Sequence, residues 1–192
     1  MLDRKFMGIA LALLVSGSPA FAAWDLQQLM DSLAQAKPGR ATFVETKRIA
    51  MLDRPVESSG DLLYTAPDRL EKRTLKPRPE SMVVAGDELL IERGNREYRL
   101  QLQAQPQLAA FIDSIRGTLA GDRKALERNY RLSLEGAAPK WVLQLVPLDY
   151  QMLGVVKRIR IAGAHDQVKS VEIEQADGDS SLMVIEKSAT PR

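Results

Sequence analysis

Few residues of this 192-residue chain have the type and spacing needed for catalysis or metal binding. His165 is the single histidine, and it stands within Gly163-Ala164-His165-Asp166, a stretch typical of a hairpin tip. Because the chain has no cysteine and no second histidine, a transition-metal site is not expected. A Ser–His pair would have to use this histidine by chance, and no Gly-x-Ser-x-Gly motif is present.

The acidic residues do not form a recognisable site either. Asp177-Gly178-Asp179 lacks the further spaced oxygens of a calcium loop and is typical of a turn. No Gly-x-x-x-x-Gly-Lys-Ser/Thr phosphate loop is present. Hydrolysis by paired carboxylates stays open, since such residues can be far apart in sequence. We therefore predict no catalytic residue, no metal and no cofactor, and an enzyme acting on acyl substrates is the disfavoured alternative.

The start of the chain predicts export. Basic residues precede the apolar run 6–15, and Ala20-Phe21-Ala22 follows as a small-x-small cleavage site. The apolar run is too short to span a bilayer, which needs about 20 residues. We predict a cleaved signal peptide over residues 1–22, one domain over residues 23–192, and a periplasmic location.

Charge and cysteine content narrow the class of protein. The formal net charge is +2, with acidic and basic residues interleaved, so the concentrated basic face of a nucleic-acid binder is missing. The absence of cysteine means that a fold in an oxidising compartment is stabilised without disulfides. We expect a monomer that does not bind nucleic acid.

Two segments have helical periodicity. The first covers residues 24–36, with Asp25 as N-cap and Gln28 as its capping-box partner, and Pro38-Gly39 ends it. The second covers residues 106–120 and is followed by a short helical segment at 123–128. Each carries an apolar stripe: Leu26, Leu29, Met30 and Leu33 on the first, and Leu108, Ile112, Ile115 and Leu119, with Phe111 beside them, on the second.

The rest of the chain alternates with a period of two, which predicts strands joined by short turns. Short turns imply antiparallel neighbours, so we predict a meandering antiparallel sheet, interrupted at 76–80 by Pro77 and Pro79 and at 105–128 by the helical segment. The eleven predicted strands are 40–49, 57–65, 69–75, 80–85, 88–93, 96–102, 129–135, 140–146, 155–162, 168–175 and 179–187.

A large twisted sheet with one apolar face tends to curl, and its concave face then forms an apolar trough. The two helices can bury their stripes across that trough as plug or lid, which would make a binding site for acyl chains. The alternative is a packed α+β core with no cavity, in which the same residues are plain core. The candidate lining residues are Leu29, Leu33, Phe43, Leu62, Tyr64, Leu70, Val84, Leu89, Ile91, Phe111, Ile112, Ile115, Leu119, Trp141 and Leu143.

The sequence resembles the periplasmic outer-membrane lipoprotein carriers of the LolA family. The resemblance lies in residues 41–45 (Ala-Thr-Phe-Val-Glu), 59–70, 83–91 and the C-terminal ladder that ends in Asp177-Gly178-Asp179. It implies an α+β fold: an incomplete antiparallel barrel of about eleven strands, with a helical lid over a hydrophobic cavity. It also implies a carrier that takes acylated lipid or lipoprotein from an inner-membrane transporter to an outer-membrane acceptor.

One position departs from the family pattern. Carriers of this family have an arginine before the proline of the hairpin that follows the Gly-x-Leu strand, where it helps to hold the lid closed. Here that position is Ala66, so this role does not carry over. The lid contact is therefore absent or rebuilt, and the cargo need not be a lipoprotein. A dedicated glycolipid or acylated-pigment carrier and a lipid-sensing or lipoprotein-sensing regulatory module remain alternatives.

Overall fold

The structure, a computed structural model, describes residues 24–36 and 39–187. The predicted signal peptide lies outside these residues. Four α-helices and one 3₁₀ turn are present among them: α1 Leu26–Ala34, α2 Pro106–Ala120, α3 Arg123–Asn129, α4 Tyr150–Leu153, and the 3₁₀ turn Leu102–Ala104. None of the described helices is both long and apolar enough to cross a membrane.

The ends of the two main helices follow local chemistry. The Asp25 carboxylate accepts the Gln28 backbone N–H at 2.8 Å, and the Gln28 side chain accepts the Asp25 N–H at 3.0 Å, which confirms the predicted capping box. Helix α2 begins with Pro106 and ends at Gly121, whose φ of 64° favours glycine. A Cβ at Gly121 would lie 2.1 Å from the carbonyl oxygen of Met30, so this glycine also lets α1 approach.

All eleven predicted strands are present, each with bounds within two residues of the prediction. They are β1 Gly39–Arg48, β2 Val56–Thr65, β3 Arg69–Lys76, β4 Glu80–Ala85, β5 Glu88–Arg93, β6 Arg96–Gln101, β7 Tyr130–Ala137, β8 Lys140–Pro147, β9 Val156–Ala164, β10 Gln167–Gln175 and β11 Ser180–Lys187.

The order of the strands differs from a single meander. The antiparallel sheet runs β6-β5-β4-β3-β2-β1-β11-β10-β9-β8-β7, so two meanders are joined where β1 pairs with β11. The sheet edges are β6 and β7, and the chain passes between them through the 3₁₀ turn, α2 and α3. The structure therefore has the predicted α+β architecture, an incomplete antiparallel barrel with helices. The helical segment predicted at 105–128 lies between the two meanders, whereas the pairing of β1 with β11 was not predicted, because local turn signals do not report pairs of strands that are distant in sequence.

The buried side chains form two apolar clusters. The α1 cluster joins α1, α3 and α4 to the inner face of β7–β9, and the α2 cluster joins α2 and the 3₁₀ turn to β4 and β5. Phe111 packs against both. The buried members of the α1 cluster are Leu29, Met30, Leu33, Leu126, Tyr130, Trp141, Leu143, Leu145, Met152, Val156, Ile159 and Ile161. Those of the α2 cluster are Val84, Leu89, Leu102 and Ile112.

Tyr130 gives the α1 cluster a pH dependence. Its hydroxyl donates to the Ala110 carbonyl at 3.1 Å, and burial raises its pKa from 10.0 to about 12. The unfolded chain loses this proton from about pH 10 upward whereas the folded chain keeps it, so stability falls as pH rises through this window. We expect the free energy of unfolding to fall by about 2 kcal/mol from this group between pH 9 and 12. Urea unfolding at each pH tests this, and Tyr130→Phe should be less stable at pH 9 but should lose less stability at pH 12. Parallel curves for the two proteins would contradict the assignment.

Candidate functional site

The inner face of β2–β5 lies under α2 and is only partly covered by it. Side chains at directly paired positions share a face, so the pairs Tyr64–Leu70, Leu70–Val84 and Val84–Leu89 form one apolar row. Val84 and Leu89 are buried, while Tyr64 and Leu70 are only partly buried. At the edge strand β6 the same face ends in Tyr98 and Leu100, which are 48% and 36% exposed. This face is therefore apolar but incompletely covered.

The structure divides the predicted lining residues among three environments. Leu29, Leu33, Trp141 and Leu143 lie in the α1 cluster. Leu70, Val84, Leu89, Ile91 and Ile112 lie in the α2 cluster, and Phe111 lies between the two clusters. Phe43 is buried beneath the ammonium of Lys72, whereas Leu62, Tyr64, Ile115 and Leu119 are partly buried outside both clusters.

The most deeply buried face of α2 is polar and small, not the predicted apolar stripe. Ser114, Gly117 and Thr118 are buried, and a Cβ at Gly117 would lie 2.8 Å from Leu126 Cδ2 of α3. Ile115 and Leu119, at the end of the stripe, are only partly buried. Small residues at this spacing allow a close contact between helices. The sequence contains this signal, but the prediction of the buried face considered apolar residues alone. Helix α2 is thus held closely to its neighbouring helices and faces the sheet with a looser apolar side.

One arginine ties α2 to the rim of the sheet. Arg116 donates from Nε to the Asp68 carbonyl at 2.9 Å and from Nη2 to the Gly86 carbonyl at 2.6 Å. These carbonyls belong to the β2–β3 and β4–β5 turns, which are joined to each other by the Gly86 N–H donating to Asp68 Oδ2 at 3.2 Å. A charged donor to two carbonyls is a comparatively strong contact. Arg116 was not predicted from the sequence, because nothing local distinguishes it from a solvated helix residue.

A charged group also lies on the inner face. Glu45 of β1 is 5% exposed, and its Oε2 accepts from Lys72 Nζ at 2.6 Å and from the Ser58 hydroxyl at 3.5 Å. Lys47 Nζ lies 3.6 Å from Glu45 Oε1. Lys72 Nζ also stands 4.9 Å from the centre of the Phe43 ring, within cation–π range. Nothing local in the sequence distinguishes Glu45 and Lys72 from exposed charges.

Two concavities elsewhere on the described surface are polar. One of about 40 Å³ is lined mainly by Arg40, Asp61, Glu71 and Arg73, with Leu62 and Leu63 at its side. The other, of about 420 Å³, lies beside α1 and α3 and is lined by Gln27, Gly121, Asp122, Arg123, Lys124 and Glu127. Residues 24–36 and 39–187 contain no group of three or more acidic or histidine side chains placed to hold a metal ion. The apolar side chains under α2 and the charged group beside them therefore make the candidate site.

Comparison with known proteins identifies one matching family. Residues 17–191 match the family described as outer membrane lipoprotein carrier protein LolA-like. No curated protein gives a significant match.

The similar solved structures are distant in sequence. A LolA superfamily protein from Nitrosomonas europaea is 12% identical, with 86% of this chain and 93% of that chain covered and a TM-score of 0.46. The Pseudomonas aeruginosa MucA/MucB complex is 14% identical, with 87% of this chain and 58% of that chain covered and a TM-score of 0.48. The lipoprotein LppX of Mycobacterium tuberculosis is 10% identical, with 87% of this chain and 96% of that chain covered and a TM-score of 0.45.

The family match extends over every helix and strand described above, and it confirms the resemblance drawn from residues 41–45, 59–70 and 83–91. Since the match covers nearly the whole chain, this protein belongs to the outer membrane lipoprotein carrier protein LolA-like family.

Proposed function

We propose that the protein is a periplasmic carrier that binds acylated lipid or lipoprotein beneath α2 and shuttles it from an inner-membrane donor to an outer-membrane acceptor. Membership of the LolA-like family supports a carrier or binding protein in general. The observation that carries the proposal is the incompletely buried apolar inner face of β2–β6, with α2 as its cover.

The two apolar clusters suggest different roles. The α1 cluster has twelve buried residues, and α1 contributes Leu29, Met30 and Leu33, each at most 1% exposed. The α2 cluster has four buried residues, and most of its other members are half-buried. Close packing of the first suits a permanent core, while loose packing of the second suits a surface that opens. Accordingly, the acyl chain binds in the α2 cluster, and α2 moves aside to admit it.

The energetics favour a carrier for such cargo. Each methylene that leaves water contributes about 0.8 kcal/mol, so a sixteen-carbon chain gains roughly 12 kcal/mol from shelter. Free diffusion of the lipid between membranes is negligible at that cost. The chain has no nucleotide-binding motif, so the direction of transfer comes from the donor and the acceptor.

Lipid mass spectrometry of the protein, purified from a Gram-negative periplasm without detergent, identifies the cargo. Triacylated lipoprotein in the extract supports lipoprotein transport, and a glycolipid or acylated pigment makes the protein a dedicated lipid carrier. Transfer of a labelled lipid from donor to acceptor vesicles then tests for shuttling. An empty protein that also fails to bind a fluorescent fatty acid would overturn the proposal in favour of a packed core.

A carrier also needs a surface that meets a membrane or membrane protein. Large apolar side chains are exposed on the rim opposite the Arg116 contact, in the β1–β2 and β8–β9 connections: Met51, Leu52, Leu148, Tyr150 and Val155. Hydrogen bonds from Ala50 N–H to Asp179 Oδ1 and from Ala176 N–H to the Val155 carbonyl hold these connections to the β10–β11 turn between them. Such an exposed apolar group is typical of an interaction surface.

Replacing Met51, Leu52 and Tyr150 together with serine is expected to slow lipid transfer between vesicles about fivefold, because less apolar area is available for contact. Affinity for a fluorescent fatty acid should stay the same. The control is Val44→Ser with Val184→Ser, a directly paired and exposed couple of apolar residues on the outer face of the sheet. Equal slowing by both variants would show that the rim has no special role.

A further inference from the structure

We propose that Lys72, with Lys47 and Glu45, binds the anionic headgroup, a phosphate or a carboxylate, of an acylated ligand. This inference rests on the proposed function, since it assigns the polar end of the same site.

The group is built across three strands. Glu45 lies on β1 and Lys72 on β3, and Gly60 of β2 lies between them on the same inner face. Since Gly60 has no side chain, the Lys72 stem can cross β2 and bring Nζ to 2.6 Å from Glu45 Oε2. A side chain at position 60 would also be blocked, because its Cβ would lie 1.9 Å from the Arg73 carbonyl oxygen. Glycine at position 60 thus leaves room for the Lys72 side chain to cross β2.

The charges of the group leave a positive excess. Two ammonium groups, from Lys72 and Lys47, face the single Glu45 carboxylate. The acidic neighbour on β3, Glu71, lies on the opposite face of the strand and pairs with Arg69 and Arg73. Among the described residues Lys72 has Glu45 as its one hydrogen-bond acceptor, which leaves two of its three N–H groups free. Its side chain is 25% exposed, so a ligand can reach it.

Stability alone is a weak reason for this pair. Moving two charges out of water costs free energy that their attraction often fails to repay, and an apolar pair of similar volume is commonly as stable. Phe43 and Leu62 show that this face accepts apolar side chains beside the pair. A charged group kept beside apolar side chains of the inner face is therefore better explained by recognition.

The group is also placed correctly for an amphiphile. Lys72 is paired with Leu62 on β2 and with Met82 on β4, and Met82 belongs to the α2 cluster. Leu70, two residues along β3, belongs to it as well. A headgroup on Lys72 would thus have its acyl chain running directly into the apolar row beneath α2.

Two lipids that differ only in their phosphate test the proposal. 1-Palmitoyl lysophosphatidic acid and 1-monopalmitoylglycerol share chain and glycerol, so the ratio of their affinities reports the headgroup. We expect the wild-type protein to bind the phosphate lipid about tenfold more tightly, the effect of one charge-assisted contact. The double variant Glu45→Gln with Lys72→Met removes both charges without leaving Glu45 unpaired. It is made in a Lys47→Met background, because the Lys47 ammonium would otherwise keep the net charge of the group unchanged, and its ratio should approach one. The matched control Arg73→Met removes an exposed charge from the outer face of the same strand and should keep the wild-type ratio.

Each outcome decides the question. A ratio near one in the wild-type protein overturns the proposal without any variant, so it stays testable if the double variant does not fold. A folded double variant that keeps the wild-type preference overturns it too. Binding of both lipids with no preference leaves the carrier function standing, whereas binding of neither lipid overturns the carrier function together with this subsite.

Discussion

Replacing Arg116 with alanine is expected to raise the affinity for a fluorescent fatty acid about tenfold and to speed its binding. The guanidinium joins α2 to the β2–β3 and β4–β5 turns through the Asp68 and Gly86 carbonyls. Both carbonyls belong to turns at the rim, so water can replace the guanidinium as their donor once the side chain is removed. The loss therefore favours the open state, and a shift of about 1.4 kcal/mol in that equilibrium corresponds to tenfold in apparent affinity.

The matched control for this variant is Arg123→Ala on α3. Arg123 pairs with Glu127 one turn away on an exposed helix face and does not join α2 to the sheet in the described structure. It should leave affinity unchanged. Hydrogen exchange of α2 amides provides a second measurement, since Arg116→Ala should lower their protection while leaving the α1 amides protected. Weaker or unchanged fatty-acid binding by a folded Arg116→Ala protein would show that α2 does not gate the site.

Local pattern was sufficient to predict the eleven strands and three of the four α-helices among the described residues. In β8 the alternation of Trp141, Leu143 and Leu145 with more exposed residues identifies the buried face directly, and the structure buries all three. Gly121 and Asp122 likewise end α2 and begin α3, as predicted. These features depend on neighbours within a few residues, which is the range over which periodicity and capping act. Helix α4 was missed because its four residues are too few to show a period.

Contacts between distant residues could not be predicted in the same way. The β1–β11 pair joins residues more than 130 positions apart, and no turn signal marks it. Arg116 reaches Asp68 across 48 residues, and Lys72 reaches Glu45 across 27. Each of these side chains looks like an ordinary surface charge in the sequence, and only the fold makes it a contact of the candidate site. The family resemblance implied a helical lid, but it could not predict the arginine that ties α2 to the rim of the sheet in a chain with Ala66.

Truncating one residue in each apolar cluster separates the permanent core from the proposed ligand site. Leu143 is fully buried in the α1 cluster, so Leu143→Ala is expected to lower the free energy of unfolding by about 3 to 4 kcal/mol through lost burial and a cavity. Ile91 is only partly buried in the α2 cluster, so Ile91→Ala should cost about 1 kcal/mol. Urea unfolding of the two ligand-free variants measures this difference.

Ligand affinity should show the opposite order. Ile91→Ala removes apolar surface from the proposed acyl site, and losing about 1 kcal/mol of contact corresponds to about fivefold weaker binding of a fluorescent fatty acid. Leu143→Ala, assayed under conditions where it is folded, should bind within about twofold of the wild-type protein because the α1 cluster stays closed. If Leu143→Ala weakens binding more than Ile91→Ala does, the acyl chain binds beneath α1, and the loosely packed face under α2 is not the acyl site. The pair of variants therefore tests the placement of the ligand independently of the headgroup and of the Arg116 contact.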